Sequence, residues 1–177
     1  MSEKYSHTKP KKGYSLECLA TLNGTNYQRL WRAGAKPSGK VIFYIHGGCY
    51  ISGLTYNYRD FCAPLCDAAK GAEVVLLDYK LCPEYRYPTQ LNEALDLWTE
   101  LATHTKPENI IVGGDSSGGN LALALLLKLR DSKGAMPCGC FLRLRPVVID
   151  QAAIQNDLLF FLRHRADLQR DRNKLPV

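Results

Sequence analysis

The chain has 177 residues and a formal net charge of +6. That length suits one domain, and 46% apolar with 23% charged residues is ordinary globular composition, which excludes a wholly disordered chain and a coiled coil. The charge is uneven: residues 1–12 and 143–177 each carry a net +3, while residues 13–142 hold twelve basic and twelve acidic side chains. A neutral centre excludes strong electrostatic capture of nucleic acid or of an anionic membrane by that block.

In chain order, residues 1–13 are polar and are expected to be a flexible basic lead. Ser15–Leu22 and Asn26–Trp31 read as strands joined through Asn23-Gly24, a hairpin signal. Lys40–Ile45 (KVIFYI) reads as a strand covered on both faces. Tyr58–Lys70 reads as a helix, Glu73–Leu77 as a second buried strand, Leu91–Thr103 as an amphipathic helix and Asn109–Val112 as a third buried strand. Ser117–Ser132 reads as a long helix that Gly134 helps to end. The run from Phe141 to Val148 alternates loosely and reads as one more strand, and residues 150–177 as a basic helical tail. Short buried strands alternating with helices predict an α/β fold with a mostly parallel sheet and flanking helices, the front hairpin adding an antiparallel edge. The core is expected over residues 14–149.

Seven cysteines stand at 18, 49, 62, 66, 82, 138 and 140, without the paired spacing of a structural zinc site. They read as scattered reduced thiols. The start, MSEKYSHTKPKKGYS, lacks the apolar core of a secretory signal, and the longest mainly apolar run, Leu121–Leu127, is far shorter than the ~20 residues of a membrane span. The expectation is a soluble cytoplasmic protein with no metal site and no nucleic-acid partner.

Two glycine-rich segments carry chemistry. Gly113-Gly114-Asp115-Ser116-Ser117-Gly118-Gly119-Asn120 contains G-x-S-x-G between a strand and a helix. A serine at such a turn presents its Oγ to a substrate carbonyl, and Gly114 and Gly118 permit the tight path. The N-terminal amides of the following helix favour developing negative charge at that point. A phosphate loop would need Gly-Lys-Ser/Thr, which is absent. The second segment, His46-Gly47-Gly48-Cys49-Tyr50, follows the KVIFYI strand. Alone it is a turn. Beside a serine elbow its backbone amides suit an oxyanion.

HGGCY at 46–50, DYKLCPEYRYPTQLNEAL at 78–95 and GGDSSGGNLA at 113–122 together resemble the α/β-hydrolase fold and, within it, the hormone-sensitive-lipase-like esterases. The resemblance implies hydrolysis of small carboxylic esters by a Ser-Asp-His triad, without metal or organic cofactor. It makes Ser116 the nucleophile and Gly48, Cys49 and Ser117 the oxyanion-hole donors, and gives His46 a part in loop architecture. Two departures stand out. Cys49 replaces the third glycine of the loop, which predicts an altered acyl pocket or a displaced hole. Cys82 stands where the family commonly has alanine and reads as a small buried residue. The resemblance fades after Gly139. It places the acid and base far downstream of the serine, whereas Val177 lies only 61 residues after Ser116. The expected fold is thus incomplete on its C-terminal side, a truncated hydrolase lacking the downstream Asp and His. Asp150 and His164 have the right order, but His164 lies between Arg163 and Arg165 and reads as a solvated helix residue. The alternative function is a non-catalytic module that binds an apolar ligand or a partner chain.

Overall fold

The computed structural model describes residues 10–143. Six strands form one sheet in the order β1-β2-β4-β3-β5-β6. They are β1 (Tyr14–Ala20), β2 (Asn26–Arg32), β3 (Val41–Ile45), β4 (Glu73–Leu77), β5 (Ile110–Asp115) and β6 (Gly139–Arg143). The helices are α1 (Tyr56–Ala68), α2 (Thr89–His104) and α3 (Ser117–Asp131). Strands β4, β3, β5 and β6 run parallel, and β1 and β2 form the antiparallel hairpin, with β2 also antiparallel to β4.

Burial explains the arrangement. All five residues of β3 are buried, so the strand has no water-facing side and must lie inside the sheet. Its side chains alternate between two cores. Val41, Phe43 and Ile45 join Leu97, Trp98, Leu121 and Leu125 from α2 and α3, whereas Ile42 and Tyr44 join Cys62, Ala63 and Cys66 from α1. Each fully buried Leu, Ile or Phe contributes roughly 1.5–3 kcal/mol, so the sheet is held from both faces.

Several boundaries differ from the sequence expectation. Helix α1 starts two residues earlier, at Tyr56, and tolerates Pro64 on its exposed side. It ends at Ala68, where Lys70 (φ 55°) and Gly71 (φ 83°) turn left-handed and the Gly71 amide bonds the Cys66 carbonyl. Strand β5 runs three residues beyond Val112, because Gly113 and Gly114 pair with Tyr44 and Ile45 on one side and with Phe141 and Leu142 on the other. The hairpin loop is longer than Asn23-Gly24 alone: Thr21 and Thr25 close it, and only Gly24 (φ 86°) is left-handed there. Strand β6 contains Phe141. The remainder of the expected run to Val148 and the tail 150–177, including Asp150 and His164, lie outside the described residues.

The connections place the site. From β3 the chain passes through α1 to β4, on one side of β3. From β5 it passes through α3 to β6, on the other side. Adjacent parallel strands whose connections diverge open a crevice at their carboxyl ends. The two glycine-rich segments begin at those ends.

Candidate active site

Ser116 lies between β5 and α3 with φ 50° and ψ −124°, a conformation that residues with a Cβ seldom adopt. Its side chain is exposed. Its amide bonds the Arg143 carbonyl on β6 (3.0 Å), and its carbonyl accepts from the Asn120 amide (3.1 Å). The turn is therefore tied to the neighbouring strand and to the helix that it starts.

The elbow glycines are required by contact. A Cβ on Gly114 would lie 2.5 Å from the Gly118 carbonyl oxygen, and one on Gly118 would strike the carbonyls of Ile45 and His46. Gly118 thus lets α3 rest directly on the end of β3, which brings the 46–50 loop against the serine turn. The same closeness appears at Gly47, where a Cβ would lie 2.6 Å from Asp115 Oδ2 and 3.1 Å from Ser116 Cβ.

The loop is strained and pinned. Gly48 has φ 118°, and Cys49 (φ 56°) and Tyr50 (φ 61°) are consecutive left-handed residues with side chains. Such residues persist where surrounding contacts over-determine them. The amides of Ile51 and Ser52 bond the Gly48 carbonyl (3.0 and 2.9 Å), the Tyr50 carbonyl accepts from the Cys82 amide (2.8 Å), and the Tyr50 hydroxyl donates to Asn120 Oδ1 (2.7 Å) on α3. Among the described residues no acceptor engages the amides of Gly48 or Cys49. Ser117, the first residue of α3, contributes a helix N-terminal amide of the kind left without an intrahelical partner.

His46 is fully buried. Its ring stacks on Tyr79 (centroids 4.3 Å, planes 8° apart), and its Nδ1 lies 2.7 Å from the Gly47 carbonyl. Burial lowers its pKa, only partly countered by the Gly47 hydrogen bond. The ring is thus held neutral, its Nδ1–H donating to that carbonyl, and it is stacked and out of contact with solvent. Cys49 is exposed, so its side chain occupies open space instead of pressing on the core. Cys82 is not the small buried residue expected: it is half-buried, and its thiol donates to the Tyr85 carbonyl (3.2 Å).

One group had no role in the sequence reading. Asp115 Oδ1 accepts from the Tyr44 hydroxyl (2.9 Å) and the Gly47 amide (3.0 Å), and Oδ2 accepts from the Tyr58 hydroxyl (3.1 Å). The Tyr58 hydroxyl in turn accepts from the Gly47 amide (2.9 Å). A carboxylate at the end of an otherwise apolar strand was the available signal.

A family model described as the alpha/beta hydrolase fold matches residues 42–163. The chain belongs to the α/β-hydrolase fold family. The match passes Gly139, so the family pattern extends further than the three motifs suggested. An esterase of Acinetobacter venetianus is 35% identical over 128 residues, covering 72% of this chain and 41% of that protein. An acetyl-hydrolase of Streptomyces hygroscopicus is 34% identical over 108 residues, covering 60% and 36%. The crystal structure of an esterase from the bacterial hormone-sensitive lipase family superimposes with a TM-score of 0.69 at 31% identity, covering 77% of this chain and 46% of that one. This α/β-hydrolase chain thus spans less than half the length of these relatives. Among its described residues, no helix is long and apolar enough to cross a membrane.

Proposed function

We propose that this α/β-hydrolase chain carries the nucleophile and oxyanion-binding parts of a serine carboxylesterase acting on small, uncharged esters. The observation that carries the reading is Ser116: an exposed serine in a left-handed turn at the start of α3, against a loop whose Gly48 and Cys49 amides meet no acceptor among the described residues. Its Oγ would attack the ester carbonyl carbon. The charge formed on the carbonyl oxygen would be met by the amides of Gly48, Cys49 and Ser117, fixed before the reaction and reinforced by the N-terminus of α3. The alcohol would leave with a proton, and water would then release the acid from the acyl-serine. Relatives named esterase, acetyl-hydrolase and ethyl acetate hydrolase support an ester substrate.

A second reading rests on the histidines. Among the described residues these are His46, which is buried and committed to Gly47, and His104, on the exposed last turn of α2. Neither can serve Ser116 as base. Without one, the chain would be a non-catalytic module that binds an apolar ligand or a partner chain, since loss of the base alone can lower turnover by roughly 10⁶. Incubation of the full chain with a fluorophosphonate probe and with p-nitrophenyl acetate, beside Ser116→Ala, separates the two. Ser116-dependent labelling and turnover are expected from the esterase. A folded chain that is neither labelled nor active overturns that reading in favour of the binding module.

A further inference from the structure

Asp115 gathers donors from three separate elements: the Tyr44 hydroxyl from β3, the Tyr58 hydroxyl from α1, and the Gly47 amide from the loop between them. It also immediately precedes Ser116. A single carboxylate therefore meets the loop through its side chain and the serine turn through its own backbone. We propose that Asp115, with Tyr58, is a positioning residue that sets the Gly48 and Cys49 amides in register with Ser116. This rests on the esterase reading and names what holds its oxyanion site together.

The surroundings fit that role. Gly47 lies close against Asp115, and a side chain there would fill the space that the carboxylate uses. The next residues, Gly48, Cys49 and Tyr50, all have positive φ. A loop with three such residues in succession would relax without an anchor, and it would carry its amides away from the serine. The Gly47 amide has two acceptors, Asp115 Oδ1 and the Tyr58 oxygen, and the Tyr58 proton returns to Asp115 Oδ2. The result is a closed ring of hydrogen bonds around one peptide unit. Burial raises the pKa of both tyrosines, with the nearby Asp115 charge adding to it, and Tyr58 reaches about 12. Their hydroxyls thus remain donors throughout the range in which esters are assayed. Neither tyrosine is needed to touch substrate, and Asp115 acts on the chemistry only through Gly47.

The test compares Asp115→Asn and Tyr58→Phe with the unaltered full chain by amide hydrogen exchange, and by the rate of fluorophosphonate labelling at Ser116. The Asp115→Asn change keeps the size but turns one acceptor oxygen into a donor. The Tyr58→Phe change keeps the ring that packs near Tyr44 and His46, so a readable variant remains should the first fail to fold. The expected result is exchange about tenfold faster at the hydrogen-bonded loop amides of Gly47, Ile51 and Ser52, with β3 unchanged, and labelling slowed by about 10- to 100-fold. Unchanged loop exchange in a folded variant overturns the proposal. So does exchange that rises equally along the chain, which marks plain destabilisation, or a faster loop with an unaltered labelling rate. If the parent chain is not labelled at all, the esterase reading fails, while the exchange data alone decide whether Asp115 clamps the loop.

Discussion

At residue 118 the packing leaves no room for even a methyl group. The atoms that a Cβ would meet are the carbonyls of Ile45 and His46, which are backbone and cannot swing aside. Gly118→Ala should therefore push α3 off the end of β3. It is expected to cost about 1–3 kcal/mol and to abolish fluorophosphonate labelling at Ser116, read by denaturant unfolding and by in-gel fluorescence. A variant of parental stability and reactivity would show that the two segments are not in contact. Residue 49 is the opposite case. Cys49 is exposed, and its constraint is conformational, since it holds φ 56°. Cys49→Gly should be close to neutral in stability, because relief of the left-handed strain offsets the greater backbone freedom of glycine. Cys49→Val should lose about 1–3 kcal/mol, as a β-branched side chain is poorly tolerated there. Equal unfolding midpoints for the two would refute the left-handed assignment. An ester turnover unchanged by Cys49→Gly would show that the cysteine does not reshape the proposed oxyanion site.

At the scale of elements, the front hairpin is stapled to α2 at two points, Tyr27 donating to Glu100 Oε1 (2.8 Å) and Asp96 receiving the hairpin loop. Asp96 accepts hydrogen bonds from Thr21 Oγ1 and Asn23 Nδ2. Burial pushes its pKa up, but hydrogen bonds from Thr21, Thr25 and Asn23 outweigh this and leave it below the ordinary 3.8. A depressed carboxyl pKa contributes stability that is complete above the unfolded value and is lost as pH falls through the folded one. Asp96→Ala should thus cost about 1–2 kcal/mol at pH 7, and the gap to the parent should narrow as the pH drops below 3.8. Urea unfolding across that range measures it, and a gap that stays constant would assign the effect to packing. Neither the staple nor the Asp115 ring is visible as a sequence pattern, since Thr21 lies 75 residues from Asp96 and Tyr44 lies 71 from Asp115. By contrast, β3 and β4 are legible as apolar runs because both their faces are covered. The extension of β5 through Gly113, Gly114 and Asp115 is not, because glycine and aspartate have low strand preference and the neighbouring strands impose the conformation. The serine turn and the HGG loop were readable as local signals. Their contact through Gly47 and Gly118 depends on the fold.

At the scale of the whole described chain, the sheet has α1 on one face and α2 with α3 on the other, and the cysteines report on one of these layers. Cys62 and Cys66 are fully buried between α1 and the sheet, whereas Cys18 and Cys49 are exposed. Burial raises the pKa of both inner thiols, Cys66 to about 11 and Cys62 further. A disulfide-exchange reagent attacks through the thiolate. The inner pair is therefore protected twice, by exclusion of the reagent and by suppression of the reactive form. Only opening of the α1 layer removes both barriers. For a native state of ordinary stability, about 5–15 kcal/mol, global opening is rare. At pH 8, the expected result is prompt modification of Cys18 and Cys49 in the folded chain and modification of Cys62 and Cys66 only on denaturation, as mapped by peptide mass spectrometry. Slow modification of the inner pair with β4 still protected against hydrogen exchange would identify α1 as a separately opening unit. Because Tyr58 belongs to α1, such opening would also release the Asp115–Gly47 ring. Prompt modification of all four would mean that α1 does not cover the sheet. The 46–50 loop would then have lost one of the two groups that hold the Gly47 amide.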